Sequence, residues 1–481
     1  MKSETAKTYI LVILIIICLI QLGILWNYQN HGFPISFLMS FFSSDGTDYT
    51  AADEKAAIEE FFVPYRIIVS NGWESHWIIG TNDKYFEQLW QNAKHHLTEA
   101  LSSKKYQEFI PLEKWGECIT KRGYSIEFKI NIPNTLLKSL LDLENINSED
   151  SPGLYKMMVV PGGYIGMNST TVYVMDGKGI YKYTTGRQED DLEDGGFEKL
   201  ITKLEQSKDN NSEYKVFAEL VNTERFNYSI SPDVLFTYSS VYREYNNINW
   251  SVPGKIGKNE QDKLSKLDGL AKIVLGNEKD SFDHSIDSNG TILFKNLDSI
   301  FRIYNDGFFE FRYIPGTQGL EKGSISSAFI SASRFLKRIL ALCSSDNRLF
   351  LSGILENQDH YVFTFDYLVE DIPVTFGDNI TIRNYQQKNA VIMEVSRNKV
   401  IGCRWILMDF FKLKEENSYN MNTISLLEKS KLKLNEVSIR DMYVSYYMND
   451  SRSSTILPHW IIEDRDGNIY AVQMIKKEKG S

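Results

Sequence analysis

The charge-free stretch Thr8–Ser44 constrains this chain most. No Lys, Arg, Asp or Glu interrupts it, and it opens with the apolar run YILVILIIICLIQLGILW from Tyr9 to Trp26. A helix rises about 1.5 Å per residue, so roughly 17 to 25 such residues cross a hydrocarbon core. Residues 8–28 are therefore expected to form a transmembrane anchor, with Trp26 and Tyr28 at the interface where amphipathic aromatics settle. Lys2 and Lys7 precede the run and no Lys or Arg follows until Lys55. The positive-inside bias then leaves a cytoplasmic tail of residues 1–7 and puts the bulk of the chain outside, a single-pass cell-membrane protein. A cleaved secretory signal shares the charged front and apolar middle. Against it, the run is long, Trp26 to Gln29 offer no small-residue cleavage site, and bulky Ile17 precedes Cys18 where lipoprotein processing needs a small residue.

Behind the anchor, 42% hydrophobic and 13% aromatic residues in a chain of 481 can bury a sizeable core, and the length predicts about two to four domains. A net charge of -10 argues against nucleic acid as partner, because phosphate binding needs clustered cations. Cys118, Cys343 and Cys403 are widely spaced and form no CxxC pair. They are expected as buried thiols, with one bridge among the three as the alternative.

The pattern along the chain is α+β. FPISFLMSFF and a polar, helix-prone stretch make residues 29–62 a juxtamembrane stalk. An N-terminal α+β domain is expected over 63–150: strands RIIVS and WIIG, a helix over Asp83–Leu101 with Phe86, Leu89, Trp90, Ala93 and Leu97 on one stripe, and the alternating strand YSIEFKINIP. Residues 151–320 read as a β-rich central domain with hairpins at Thr171–Thr185 and Ser299–Ile314, whose turns carry Asp, Asn and Gly. Acidic tracts such as Arg187–Gly196 read as loops. Residues 321–481 run helix then strands twice, with helices Ser324–Leu342 and Thr423–Leu434, a loose internal duplication of helix plus antiparallel sheet.

No residue constellation announces an enzyme. SxxK recurs at Ser102, Ser212, Ser396 and Ser430 and SDN stands at Ser345–Asn347, but KTG is absent and the order is wrong for one penicillin-recognising cleft. HExxH, GxSxG and phosphate-binding glycine patterns are missing. His95 and His96 are adjacent on a helix, face different ways, and read as surface residues rather than ligands. Asp464, Asp466 and Asn468 lack the closing Glu of a calcium loop and read as a hairpin turn. No catalytic residue, cofactor or metal is expected.

A seven-residue tail has room for no domain, so influence on the cell interior must pass sideways through the membrane helix or a partner. Within the anchor Leu14, Cys18, Gln21 and Leu25 recur on one helical stripe that contains its only amide. An amide in hydrocarbon seeks a partner, worth roughly 0.6 to 2 kcal/mol across helices. This stripe is the expected interaction site, unless Gln21 is simply tolerated near the outer interface.

Four segments resemble the YycH family of membrane-anchored regulators: the opening MKSETAK before the span, SIEFKINIP (Ser125–Pro133), HYVFTFDYLVEDIPV (His360–Val374) and ILPHWIIEDRDGNIYAVQ (Ile456–Gln473). The last third resembles the related YycI domain, with a PepSY-like closing hairpin. The resemblance implies a protein that modulates a WalK-type sensor histidine kinase of cell-wall homeostasis in Gram-positive bacteria, in complex with a YycI-like single-span protein. The alternative is a PepSY-like module restraining an extracytoplasmic wall hydrolase or protease, which would work from any anchor. An anchored wall enzyme with an unrecognised carboxylate site is the third reading.

Overall fold

Two periodicities meet in the first layer of the fold, a 3.6-residue stripe on a helix and a two-residue alternation on the strands beneath it. A computed structural model describes residues 59–477 apart from 73–74, 103–104, 144–150, 163–168, 187–195, 207–212, 221–228, 238–241, 254–266, 268–270, 272–273, 275–282, 297, 315–319, 341–342, 344–347, 379, 383–384, 431–436 and 450–454. The expected anchor and the stalk up to residue 58, and with them Leu14, Cys18, Gln21 and Leu25, lie outside the described residues; the last stalk positions differ from expectation, since Phe61 and Phe62 are buried in the core of the folded body. Among the described residues no helix is long and apolar enough to cross a membrane.

The helix Lys84–Ser102 starts where the Asp83 carboxylate accepts the Tyr85 N–H at 2.9 Å, which satisfies one of the orphan donors of a helix N-terminus. Its stripe of Phe86, Leu89, Trp90, Ala93 and Leu97 is buried as expected. His96 is buried too, its Nδ1 2.9 Å from Thr185 Oγ1, while His95 is half exposed. The surface reading therefore holds for His95 alone, because His96 falls on the stripe side of the helix.

Beneath lies a seven-stranded antiparallel sheet in the order His76–Ile79, Arg66–Ser70, Gly123–Ile132, Leu154–Val160, Ser169–Met175, Ile180–Gly186, Glu108–Ile110. The strand Gly123–Ile132 pairs with Leu154–Val160, so the sheet runs across the boundary expected at residue 150. Its hairpin Ser169–Gly186 turns as the sequence suggests: Asp176 Oδ1 accepts the N–H groups of Lys178 and Gly179 at 2.7 and 3.1 Å. The central region also holds a helix, Gly196–Gln206, which the reading of strand and turn passed over. Its buried Phe197, Leu200, Ile201 and Leu204 carry helical spacing in eleven residues flanked by polar tracts.

The second sheet has fifteen strands and draws on both the central region and the C-terminal third. Its strands Ser299–Ile303 and Phe308–Tyr313 continue through Phe308–Ile406 pairing into Lys399–Ile406. The strand Tyr242–Ser251 pairs with Asp409–Asn420 and touches Thr455–Asp464. Residues 151–320 thus feed both sheets. The two helix-then-strand runs differ in size. Ile325–Leu340 has 16 residues and packs over Tyr361–Val369, Val391–Ser396 and Lys399–Ile406, whereas Thr423–Lys429 has seven. The fold is sheet-rich α+β. Cys118, Cys343 and Cys403 are all buried.

The two sheets meet directly. Helix Asn134–Leu140 packs on Ile325–Leu340, strand Gly123–Ile132 on Arg348–Glu356, and the Tyr65 ring lies 5.9 Å from Phe350 and 5.6 Å from Tyr443.

Candidate functional site

Register in the first sheet lines up three charges. Arg66 stands opposite Glu127, and Glu127 opposite Lys156, on adjacent strands, so strand alternation turns all three to one face. In SIEFKINIP, Ile126 and Phe128 enter the core under the helix, while Glu127 and Lys129 take the other face. That face is not solvent: Glu127 is 2% exposed.

What covers it is a face of the second sheet, on the paired strands Ser438–Met448 and Thr455–Asp464. There Asp441 and Glu463 sit opposite one another in register, an arrangement that repels unless cations intervene. Arg66 Nη2 donates to Asp441 Oδ1 at 3.1 Å while its Nε donates to Glu127 at 2.6 Å. Lys129 Nζ lies 3.4 Å from Asp441 and 3.2 Å from Glu463, and Arg440 binds the other Glu463 oxygen. Lys156 pairs with Asp233 and lies 3.4 Å from Glu127. Lys129 also stands 3.6 Å from the Tyr443 ring centroid and 4.3 Å from that of Tyr65, a cation over aromatic faces. Four cations and four carboxylates make the junction neutral.

Burial alone would raise the Asp441 carboxyl, but Arg66, Lys129 and Lys156 override it and hold it well below the usual carboxylate range. Burial works to discharge Lys129, and the facing Tyr443, Tyr65, Glu463 and Asp441 raise it instead. Both tyrosines move up, chiefly through burial. Each cation of the junction stands within ion-pair distance of a carboxylate.

Beside this junction opens a cleft of about 480 Å³. One wall comes from Tyr65, Arg66 and the loop Gly80–Asp83, another from Arg243–Asn246, and a third from Met442–Val444, Tyr446 and Trp460. Its rim is the turn Glu370–Asp371, which joins Tyr361–Val369 to Ile372–Phe376 with Val369 paired to Ile372. Both turn residues are left-handed, φ 51° and 66°, as a two-residue hairpin matching strand twist requires, although Asn-Gly would adopt it more cheaply. Asp371 is held there by Thr81 Oγ1 and by the Asn82 N–H at 3.1 Å. A Cβ on residue 80 would stand 2.5 Å from Asp371 Oδ2, so only glycine lets the turn close on this loop.

Three of the four segments singled out in the sequence therefore converge here: SIEFKINIP brings Glu127 and Lys129, YLVEDIPV brings Asp371, and HWIIED brings Trp460 and Glu463. Asp464, at the closing turn, uses its carboxylate locally, accepting from Asn468 N and Nδ2 at 2.8 Å each. Sequence reasoning missed Arg66, Lys156 and Asp441. The one available signal was the charged pair Glu127 and Lys129 on a strand with an apolar opposite face, which reads equally well as a solvated face.

Residues 4–153 match the family described as YycH protein, N-terminal domain. The crystal structure of YycH from Bacillus subtilis has the same fold, with a TM-score of 0.53 over 86% of this chain and 96% of that one, at 10% sequence identity. An uncharacterized protein from Eubacterium rectale ATCC 33656 aligns over 52% of this chain and 91% of its own at 15% identity, with a TM-score of 0.29, too slight to speak for fold. No curated protein sequence matches the chain. The family model thus covers the first part of the chain, and the fold likeness extends over most of it.

Proposed function

We propose that this chain is a YycH-type regulator, anchored in the membrane by residues 8–28 with its folded body outside the cytoplasm, and that it modulates a WalK-type sensor histidine kinase together with a YycI-like single-span protein. The observation that carries the proposal is the family match over residues 4–153, which runs from the charge-free stretch into the first sheet. The YycH fold across most of the chain supports it. The kinase contact is assigned to the stripe Leu14, Cys18, Gln21 and Leu25, where one amide can bond across helices in a medium that offers no water. The ionic junction gives the body a fixed form against which such a contact can work, since the first sheet, which follows the anchor in sequence, is tied to the last strands of the chain.

The test is a crosslinked pull-down from native membranes, comparing the full chain with a version carrying an unrelated transmembrane helix and with Gln21→Leu. A sensor kinase or a second single-span protein should come down with the native helix and fall away with both variants. Equal recovery from all three would move the contact to the folded body, and no kinase in any sample would refute the proposal.

A further inference from the structure

Two adjacent aromatic rings at the start of the folded body pack onto different sheets. Phe61 closes a short helical turn over residues 59–61 and is 1% exposed, its ring 5.9 Å away from Phe365 of the second sheet in an edge contact. Phe62 is 4% exposed. Its ring stacks 5.0 Å from Phe128 of the first sheet and meets Trp90 of the covering helix edge-on at 5.5 Å. Packing is what holds these rings. The ion pair of Glu60 with Lys337, 2.8 Å, is exposed and adds little, and Pro64 has no N–H to give. Among the described residues the first backbone bond from this segment to a sheet is donated by Tyr65 N to the Glu127 carbonyl at 2.8 Å. Residues 59–64 can therefore open as a local unit that leaves the strand ladders unbroken.

We propose that Phe61 and Phe62 are a pin that couples the chain arriving from the membrane side to the ionic junction: seated rings hold the two sheets together as described, and withdrawn rings loosen the junction. Phe62 supports the strand Gly123–Ile132 through Phe128. The neighbours of Phe128 on that strand, Glu127 and Lys129, turn to the opposite face and carry the contacts to Arg66, Asp441 and Glu463. Phe61 bears on Phe365, whose strand pairs with Arg348–Glu356, and Phe350 of that strand meets the Tyr65 ring at 5.9 Å. Each ring thus backs one of the two layers whose meeting forms the junction. Close-packed interiors move between discrete arrangements rather than bending, so a displacement of the chain before residue 59 reaches the junction by unseating the rings. Coupling of this kind is reciprocal, and a weakened junction must unseat the rings more often. The proposal extends the anchored topology proposed above, but its test contains no kinase, so either can fail without the other.

The experiment is limited digestion of the full chain in detergent with chymotrypsin, which cuts after Phe, read by mass spectrometry as fragments beginning at Phe62 or Val63. Cutting at these bonds requires the rings to be out. In the wild type the fragments should form at a rate that changes little with urea below the unfolding midpoint, because local opening exposes little surface. Asp441→Asn weakens the junction without touching the pin and should speed their formation about tenfold. Leu97→Ala, a buried position further along the Lys84–Ser102 helix, is the control and should change the rate by about twofold or less. If Asp441→Asn does not fold, Arg440→Gln, which removes the ion pair with Glu463, takes its place with acceleration again expected. Fragments that form only together with cutting throughout the body, or a junction variant no faster than Leu97→Ala, would overturn the proposal.

Discussion

Arg66 and Asp441 are 375 residues apart in sequence and 3.1 Å apart in space, joined by a part-buried charge-assisted hydrogen bond between the two sheets. The bond does more than close the chain on itself. Asp441 faces Glu463 in register, and without Arg66 and Lys129 the strand pair carrying them would bury two repelling carboxylates.

Removing one partner of a buried ionic network leaves the others charged and unpaired, which typically costs about 3 to 5 kcal/mol. Asp441→Ala is expected to destabilise the chain by that order, read from the urea midpoint. A loss below about 1 kcal/mol, the range of surface pairs, would mean that the junction is solvated.

The same residue sets an acid limb. Its carboxyl is held below the ordinary value in the folded state, so its ionised form favours folding. That stabilisation is complete above the unfolded carboxyl value, about pH 3.9, and is lost progressively as pH falls below it. Melting temperatures between pH 5 and pH 2 should fall more steeply for the wild type than for Asp441→Asn, and parallel curves would contradict the assignment.

Tyr367 is the hub of a second buried network. Its hydroxyl donates to the Ile406 carbonyl at 2.9 Å and accepts from Trp405 Nε1 at 2.8 Å and Met408 N at 3.3 Å. Tyr367→Phe keeps the ring and removes all three bonds, with an expected cost of about 2 kcal/mol. Chemical denaturation measures it; a change within about 0.5 kcal/mol, usual for unremarkable surface positions, would show that the partners find other bonds.

At the cleft rim, the left-handed backbone of Glu370 is unfavourable by about 1 kcal/mol for a residue with a Cβ. Its ion pair with Lys412, 3.8 Å and half exposed, offsets little of that. Glu370→Gly should therefore stabilise the chain, whereas Gly80→Ala should destabilise it by forcing Asp371 away. Thermal unfolding of the two variants should show shifts of opposite sign, and shifts of the same sign would refute the clamp.

Burial pushes the Cys118 thiol up to about 11, and Cys403 is raised by burial as well. Since the thiolate is the reactive form, iodoacetamide at pH 8 should label native chain far more slowly than urea-unfolded chain. Equal rates by mass spectrometry would place these thiols at the surface.

Local elements were legible in the sequence where one periodicity dominated. Arg66–Ser70 and the stripe on Lys84–Ser102 fall where the residues indicate, and the hairpin turns at Asp176 and Gly307 follow from residues that tolerate their geometry. The junction was not legible. Glu127, Lys129, Asp441 and Glu463 alternate with apolar residues as on any solvated strand face, and only the meeting of two sheets makes that face an interior. Domain limits were obscured for the same reason, because hydrogen-bonded register joins strands with no local mark of partnership. Helix Gly196–Gln206 was hidden by brevity between polar tracts.

The most direct measurement of the central claim is the autophosphorylation rate of a WalK-type sensor kinase reconstituted in vesicles alone, with the full chain, and with the chain carrying an unrelated transmembrane helix. The account predicts a changed rate with the native helix and the kinase-alone rate with the substitute. A rate unaffected by the full chain would contradict it.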